Sequence, residues 1–135
     1  MIRDYEKNGG GEIVLIGHSG GGVVAYGTAK MLHERGYPVD GVILVGSPEL
    51  WIADDWQERV HSIRKAGRFG DPVTWWGRPC PGAPRCCETV DIVGGHPDYF
   101  RSEMKDASGI SNLSKTMDGI WKWLRPKVGC ELDKV

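Results

Sequence analysis

Apolar residues in the first third of the chain follow a pattern that predicts strand, helix and strand. Residues 12–16 and 41–46 are short runs rich in Val, Ile and Leu, as expected of strands buried on both faces of a parallel sheet. Between them, apolar and small residues over 20–35 predict a helix packed closely on the sheet, and Gly36 with Pro38 marks its end. This order predicts a βαβ unit.

Weaker patterns continue along the rest of the chain. Residues 60–64 and 88–93 alternate apolar and polar side chains, which predicts a third and a fourth strand. Residues 49–59 suit a short amphipathic helix or an ordered loop, and residues 67–87, rich in proline and glycine, predict a long connection. A final amphipathic helix is expected to end at Pro126. Its apolar stripe consists of Ile110, Leu113, Met117, Ile120, Trp121 and Leu124.

These elements together predict an α/β fold: a mostly parallel sheet of about four strands with flanking helices, in a single domain over residues 1–135. Hydrophobic residues make up 40% and charged residues 26% of the chain, as in ordinary globular domains. The longest stretch without Asp, Glu, Lys or Arg, residues 13–29, contains five glycines, so no transmembrane segment is predicted. The formal net charge of -1 offers no surplus of positive charge for phosphates, which disfavours nucleic acid as a partner.

The junction between the first strand and the first helix carries the clearest chemical signal. Gly17-His18-Ser19-Gly20-Gly21 matches the pattern G-x-S-x-G, in which a serine on a sharp strand-to-helix turn acts as a nucleophile. Small neighbours let the strand and the helix approach each other, and the glycines at 17, 20 and 21 are expected to supply this clearance. The helix that follows directs its free N–H groups towards a developing oxyanion, so the backbone N–H of Gly20 is a predicted donor.

A serine nucleophile needs a histidine base and an acid that orients the histidine. His96 follows the last predicted strand in a turn at the sheet edge and is the preferred base. Asp71 follows the third predicted strand and is the preferred acid, which gives the chain order Ser19, Asp71, His96. The competing histidines are His18, His33 and His61, of which His18 is expected to pack beside the elbow. The competing acids are Asp54, Asp55, Asp91 and Asp98.

Four motifs in this order resemble the α/β-hydrolase superfamily, and within it the lipases and esterases. They are Gly17 to Gly22 (GHSGGG), Val45 to Pro48 at a strand end, Asp71-Pro72-Val73, and His96 to Phe100. The resemblance implies that Ser19 is the nucleophile, Asp71 the orienting acid and His96 the base. It also implies hydrolysis of a small-molecule or lipid ester through an acyl-enzyme, with no metal and no organic cofactor.

The sequence departs from this superfamily upstream of the elbow, where only 18 residues precede Ser19 and no HGGG-type loop supplies a second oxyanion donor. The chain therefore resembles the C-terminal half of such an enzyme. Strand 12–16 would then be an apolar edge, which is expected to pair with a second copy of the chain, as a homo-oligomer, or with a missing N-terminal segment.

Other functional classes stay open beside the esterase. An incomplete or non-catalytic hydrolase-like module would carry the same motifs, and a thioesterase or acyltransferase would use the same three residues. Residues 20–25 also fit the nucleotide-binding pattern G-x-G-x-x-A, but the second strand does not close with the acidic residue that binds ribose.

The tryptophans and cysteines carry weaker signals. Trp51, Trp75 and Trp76 follow strand ends and are tentative residues of a substrate pocket, with structural packing as the alternative, whereas Trp121 is expected in the core. A disulfide from Cys80 to Cys86 or Cys87 would clamp the loop after Asp71 in an oxidising compartment, whereas zinc binding is a weak alternative. The remaining cysteine is Cys130. The N-terminus lacks the apolar region of a secretory signal, and both cytoplasmic and secreted locations stay open.

Overall fold

A computed structural model describes residues 2–67, 69–76 and 81–128. The helices are α1 (Ile2–Lys7), α2 (Gly20–Glu34) and α3 (Asn112–Val128). The strands are β1 (Ile13–His18), β2 (Val39–Val45), β3 (Val60–Lys65) and β4 (Cys86–Val90). Short 3₁₀ turns occupy Asp54–Arg59, Pro72–Trp75 and His96–Asp98. The first of these turns lies within residues 49–59, where a short amphipathic helix or an ordered loop was expected.

The four strands form one parallel sheet in the order β1-β2-β3-β4, which confirms the predicted α/β fold class. In the register, Ile16 lies beside Ile43, and Val45 lies beside Ile63. Because all four strands are parallel, their carboxyl ends share one edge of the sheet, and the loops that leave that edge converge.

Helices cover the two faces of this sheet and create two apolar clusters. The cluster under α2 includes Tyr26, Leu32, Val42, Leu44, Trp56 and Val60. The cluster on the α3 face includes Ile43, Val45, Ile63, Ile92, Tyr99 and Ile120. Strand β2 is buried on both faces, as its continuous apolar sequence predicts.

Strand β1 lies at one end of the strand order, so among the described residues no strand pairs with its outer edge. Ile16 in this strand is 47% exposed although it is a large apolar residue. These observations agree with the edge position expected from the sequence. The association expected at this edge stays a prediction.

The fourth strand begins and ends earlier than its alternation indicates. Residues 88–93 were the expected range, but pairing with β3 stops at Val90, opposite Lys65, where β3 itself ends. Beyond that point the side chain of Asn112 in α3 bonds the backbone of Val93. It accepts a hydrogen bond from Val93 N and donates one to Val93 O. A side chain from another element thus replaces the sheet partner.

The buried face of α3 differs from the predicted apolar stripe. Asn112, Thr116 and Ile120 are buried, whereas Trp121, expected in the core, is 46% exposed. Trp123 packs against the core instead. Ile120 and Leu124 of the stripe do reach the core, whereas the expectation for Trp121 is wrong. Apolar periodicity also cannot detect Asn112 and Thr116, because they are polar side chains buried with hydrogen-bond partners.

The same helix was expected to end at Pro126, but it continues to Val128. A proline removes one N–H donor from a helix, and in the final turn the loss of a single bond does not terminate the element. Among the described residues, none of the helices combines the length and apolar character needed to span a bilayer.

Candidate active site

Ser19 occupies the sharp turn between β1 and α2 in a strained backbone conformation. Its φ of 58° and ψ of −130° lie outside the helical and extended regions, and it is the only non-glycine residue with positive φ among the described residues. Its N–H donates to the carbonyl of Val45 at 2.9 Å, which anchors the turn to the end of the neighbouring strand. The turn therefore presents the Ser19 side chain at the carboxyl edge of the sheet.

Two glycines are needed for the close contact of strand and helix at this turn. A Cβ atom on Gly17 would lie 2.2 Å from the carbonyl oxygen of Gly21, and one on Gly22 would lie 1.9 Å from Ser47 Oγ. A Cβ on Gly20 or Gly21 would meet nothing within 4 Å. The expected clearance role thus holds for Gly17, whereas Gly20 and Gly21 border open space and Gly22 provides the second close approach.

The structure brings Ser19, His96 and Asp71 into one hydrogen-bonded chain. His96 Nε2 lies 2.7 Å from Ser19 Oγ, and His96 Nδ1 lies 2.6 Å from Asp71 Oδ2. The three residues come from three different loops at the carboxyl edge of the sheet. With Nδ1–H donating to Asp71, His96 Nε2 is available to accept the Ser19 hydroxyl proton, which is the arrangement that general-base activation of serine requires.

The turn that carries His96 is fixed by polar contacts from its own residues and from α3. Asp98 Oδ2 accepts from Gly95 N at 2.8 Å, which closes the turn. Asn112 Nδ2 donates to the carbonyl of Asp98 at 2.9 Å, and Thr116 Oγ1 donates to the carbonyl of Tyr99 at 2.7 Å. Neither α3 residue was predicted from the sequence. The available signal was their i, i+4 spacing, which places them on one face of the helix.

His18 contacts the same turn from the side of the elbow. Its Nε2 lies 2.9 Å from the carbonyl oxygen of His96, and the two imidazole rings stack with centroids 4.9 Å apart and planes 24° from parallel. His18 therefore packs beside the elbow, as expected, and additionally holds the backbone of His96.

Asp71 is 1% exposed, and three donors surround its carboxylate. Oδ1 accepts from Val73 N at 3.0 Å, while Oδ2 accepts from His96 Nδ1 and, at 2.9 Å, from the hydroxyl of Tyr99. Burial, together with the adjacent Asp71 carboxylate, raises the pKa of the Tyr99 phenol, which therefore stays protonated. Tyr99 lies within the sequence motif His96 to Phe100, but no role was predicted for it from the sequence.

The tentative pocket residues lie at the surface near strand ends. Trp51, Trp75 and Trp76 are 62%, 46% and 72% exposed. Trp75 lines a surface groove that also contains Phe69 and Thr74. Their contact with substrate stays a prediction.

His61, one of the competing histidines, lies in a separate buried cluster. Its Nδ1 is 2.9 Å from Cys86 Sγ, its Nε2 is 3.7 Å from Glu88 Oε1, and its ring stacks on Trp123. Burial lowers the pKa of His61, against the opposing effect of Glu88. The predicted disulfide concerns Cys80, which lies outside the described residues, as does Cys130.

The lowered pKa of His61 predicts a pH-dependent stability. Between the ordinary histidine pKa of 6.5 and the lower pKa of the folded state, the unfolded state binds more protons than the folded state, so the free energy of unfolding falls as pH decreases through this window. His61→Gln is expected to remove this part of the decline, which for one group is at most about 1.4 kcal/mol per pH unit. Urea unfolding of wild type and variant at several pH values between 7.5 and 5 measures the difference.

The matched control is His33→Gln, because His33 is an exposed histidine on the other face of the sheet. This variant should keep the wild-type pH dependence. Parallel curves for wild type and His61→Gln would contradict the prediction.

A parallel sheet with a strained serine at a strand-to-helix turn defines a protein of the α/β-hydrolase type. Comparison with protein-family models matches residues 8–118 to the thioesterase domain family. The chain therefore belongs to the thioesterase domain family, which confirms the superfamily expected from the sequence motifs and makes the protein a hydrolase. A comparison with curated proteins finds no match.

Proposed function

We propose that this protein hydrolyses an acyl thioester through an acyl-enzyme on Ser19, with His96 as the base and Asp71 as the acid that orients it. The observation that carries the proposal is the continuous contact from Asp71 through His96 to Ser19, at 2.6 and 2.7 Å. Membership of the thioesterase domain family supports a thiol as the leaving group.

In the acylation step, His96 Nε2 takes the hydroxyl proton of Ser19 as Oγ forms a bond to the thioester carbonyl carbon. The carbonyl π electrons move to oxygen, and the N–H of Gly20, at the first turn of α2, is the proposed donor to that oxyanion. When the tetrahedral intermediate collapses, the carbon–sulfur bond breaks and His96 returns the proton to sulfur. The products are a free thiol and the Ser19 ester.

In the deacylation step, water takes the place of the serine hydroxyl. His96 removes a proton from the water as its oxygen attacks the acyl carbon, and then gives that proton to Ser19 Oγ as the ester bond breaks. The products are a carboxylic acid and the original serine. The Asp71 carboxylate stabilises the imidazolium form of His96 in both steps.

Cleavage of oxygen esters is a second candidate, favoured by the lipase-like order of the four sequence motifs. The same three residues would act, and only the leaving group would change. A thiol is a better leaving group than an alkyl alcohol. The preference of the enzyme for thioesters or oxygen esters must therefore be measured with the same acyl chain on the two substrates.

The test combines trapping and turnover. The purified chain is incubated with a thioester of a small thiol and with an alkyl ester of the same acid, and the released thiol or alcohol is measured. Intact-mass analysis of the rapidly quenched enzyme should show one added acyl group, and peptide mapping should place that group on the peptide containing Ser19. A fluorophosphonate should label the same residue. A folded chain that is neither acylated nor labelled would contradict the proposal and favour a non-catalytic module.

Asp71→Asn is expected to lower kcat by roughly three to four orders of magnitude, because the amide no longer accepts from His96 Nδ1–H and no longer favours the tautomer that serves as base. Initial rates with the thioester measure the loss, and circular dichroism checks the fold. The control is Asp91→Asn, since Asp91 is an exposed residue that accepts a hydrogen bond from Lys115 Nζ through its backbone carbonyl. Near wild-type rates for Asp71→Asn with loss of activity in Asp91→Asn would show that the wrong acid was selected.

A further inference from the structure

Tyr99 connects the candidate acid to the end of a strand. The residue is fully buried, and its hydroxyl lies 2.9 Å from Asp71 Oδ2 and 2.9 Å from the backbone nitrogen of Lys65. Asp71 Oδ2 is the same oxygen that contacts His96. One phenol therefore meets the carboxylate oxygen that faces the base.

The direction of both hydrogen bonds follows from the chemistry of the groups. The backbone N–H of Lys65 can only donate, so the phenol oxygen of Tyr99 accepts there. The single hydroxyl proton is then free to point at the carboxylate of Asp71. The contact is a charge-assisted O–H donation to an ionised acceptor, one of the stronger classes of hydrogen bond.

We propose that Tyr99 is a positioning residue for the hydrolase, whose hydroxyl holds the carboxylate of Asp71 in the orientation that accepts His96 Nδ1–H and sets the basicity of His96. The inference rests on the proposed function of Ser19, His96 and Asp71. Tyr99 itself acts through Asp71 and does not touch the serine.

Two effects follow from the donor pattern around Asp71. The N–H of Val73 holds Oδ1 and the phenol of Tyr99 holds Oδ2, so the carboxylate cannot rotate without losing a bond. The phenol also withdraws negative charge from the oxygen that faces His96. Without it, a carboxylate that keeps its place attracts the His96 imidazolium more strongly, whereas one that rotates attracts it less, so loss of the hydroxyl changes the basicity of His96.

The ring of Tyr99 has a packing role that must be separated from the role of its hydroxyl. A Cβ atom on Gly46 would lie 2.6 Å from Tyr99 Cε2 and 2.9 Å from Asp71 Oδ2, so the ring fills the space beside the carboxylate. Tyr99→Phe keeps this ring and removes only the oxygen. It is therefore the informative variant.

Tyr26 offers a matched control on the opposite face of the sheet. It is also buried, and its hydroxyl also accepts from a backbone N–H, that of Ala53, at 3.0 Å. Tyr26→Phe removes the same atom from the same kind of environment, away from Asp71. A general loss of stability should affect both variants alike.

The first measurement is the rate of thioester cleavage by the full chain. Tyr99→Phe is expected to lower kcat by about 10- to 100-fold with KM nearly unchanged, as is typical when a group that orients an essential residue is removed. Tyr26→Phe should stay within about twofold of wild type at a temperature at which both variants are folded, since it alters no contact of the site.

The second measurement is the titration of the His96 imidazole by NMR, which needs no activity. Tyr99→Phe should shift the midpoint by about half a pH unit, because one pH unit corresponds to about 1.4 kcal/mol and a single charge-assisted bond is partly lost. The acid limb of kcat/KM should move in the same direction. Other titratable groups near His96 are the stacked His18, Asp98 in its own turn, and Lys65, which bonds the Gly94 carbonyl. These groups are the same in the wild type and in Tyr99→Phe.

The outcomes separate this inference from the proposed function. In an active wild type, a rate loss and a shifted His96 midpoint confined to Tyr99→Phe support it. An unchanged midpoint overturns it, whatever the rate, and so does a wild-type rate or an equal loss in Tyr26→Phe. An inactive wild type refutes the proposed function. The His96 midpoint alone then decides whether Tyr99 tunes the imidazole through Asp71.

Discussion

Ser19→Ala should reduce kcat for thioester cleavage by roughly 10⁴- to 10⁶-fold, the range seen when the nucleophile of a serine hydrolase is removed. The physical reason is that His96 Nε2 lies 2.7 Å from Ser19 Oγ and bonds no other group among the described residues, so no second nucleophile is in place. Fluorophosphonate labelling and the acylated peptide should disappear with the activity. The remaining rate would reflect binding and oxyanion stabilisation alone.

Ser47→Ala is the control for this variant. Ser47 is a buried serine that packs against Gly22 of the elbow helix, so a disturbance of local packing would appear there too. Alanine removes only the hydroxyl oxygen of Ser47, which bonds no group among the described residues, so the variant is expected to keep its labelling and most of its turnover. Undiminished labelling of Ser19→Ala, at a different residue, would contradict the assignment of the nucleophile.

His96→Ala should cause a loss of the same order, because without the imidazole the serine keeps its proton near neutral pH and attacks poorly. The double contact of His96, to Ser19 Oγ and to Asp71 Oδ2, assigns both ring nitrogens to the proposed reaction. Removing the side chain leaves a space between these two groups. Imidazole added to the solution should therefore restore part of the rate in His96→Ala and none in Ser19→Ala.

His33→Ala is the matched histidine control, since His33 is exposed on α2 and packs against Trp56. It should retain nearly all activity. A severe loss in His33→Ala combined with an active His96→Ala would overturn the assignment of the base. Loss of activity in His96→Ala without rescue, accompanied by a lower unfolding midpoint, would point to a structural role for the residue.

The sequence by itself determined the elements that depend on local pattern. The apolar runs predicted β1 and β2, and the glycine-rich turn between β1 and α2 predicted the position of the strained serine. The chain order Ser19, Asp71, His96 was predicted from the places of these residues after strand ends, and the roles assigned to them stay a proposal. The inferences about strands and turn succeed because strand burial and turn geometry depend on residues that are adjacent in the chain.

Only the tertiary structure decided which side chains meet across the sheet. Ser19 and His96 are 77 positions apart, and their contact depends on how α3 holds the His96 turn through Asn112 and Thr116. Buried polar residues of this kind look like solvent-facing positions in a hydrophobicity pattern, which is why the predicted stripe of α3 omitted Asn112 and Thr116. The role of Tyr99 could not be predicted from the sequence either. An aromatic residue near a strand end predicts packing, whereas its bond to Asp71 depends on distances between separate loops.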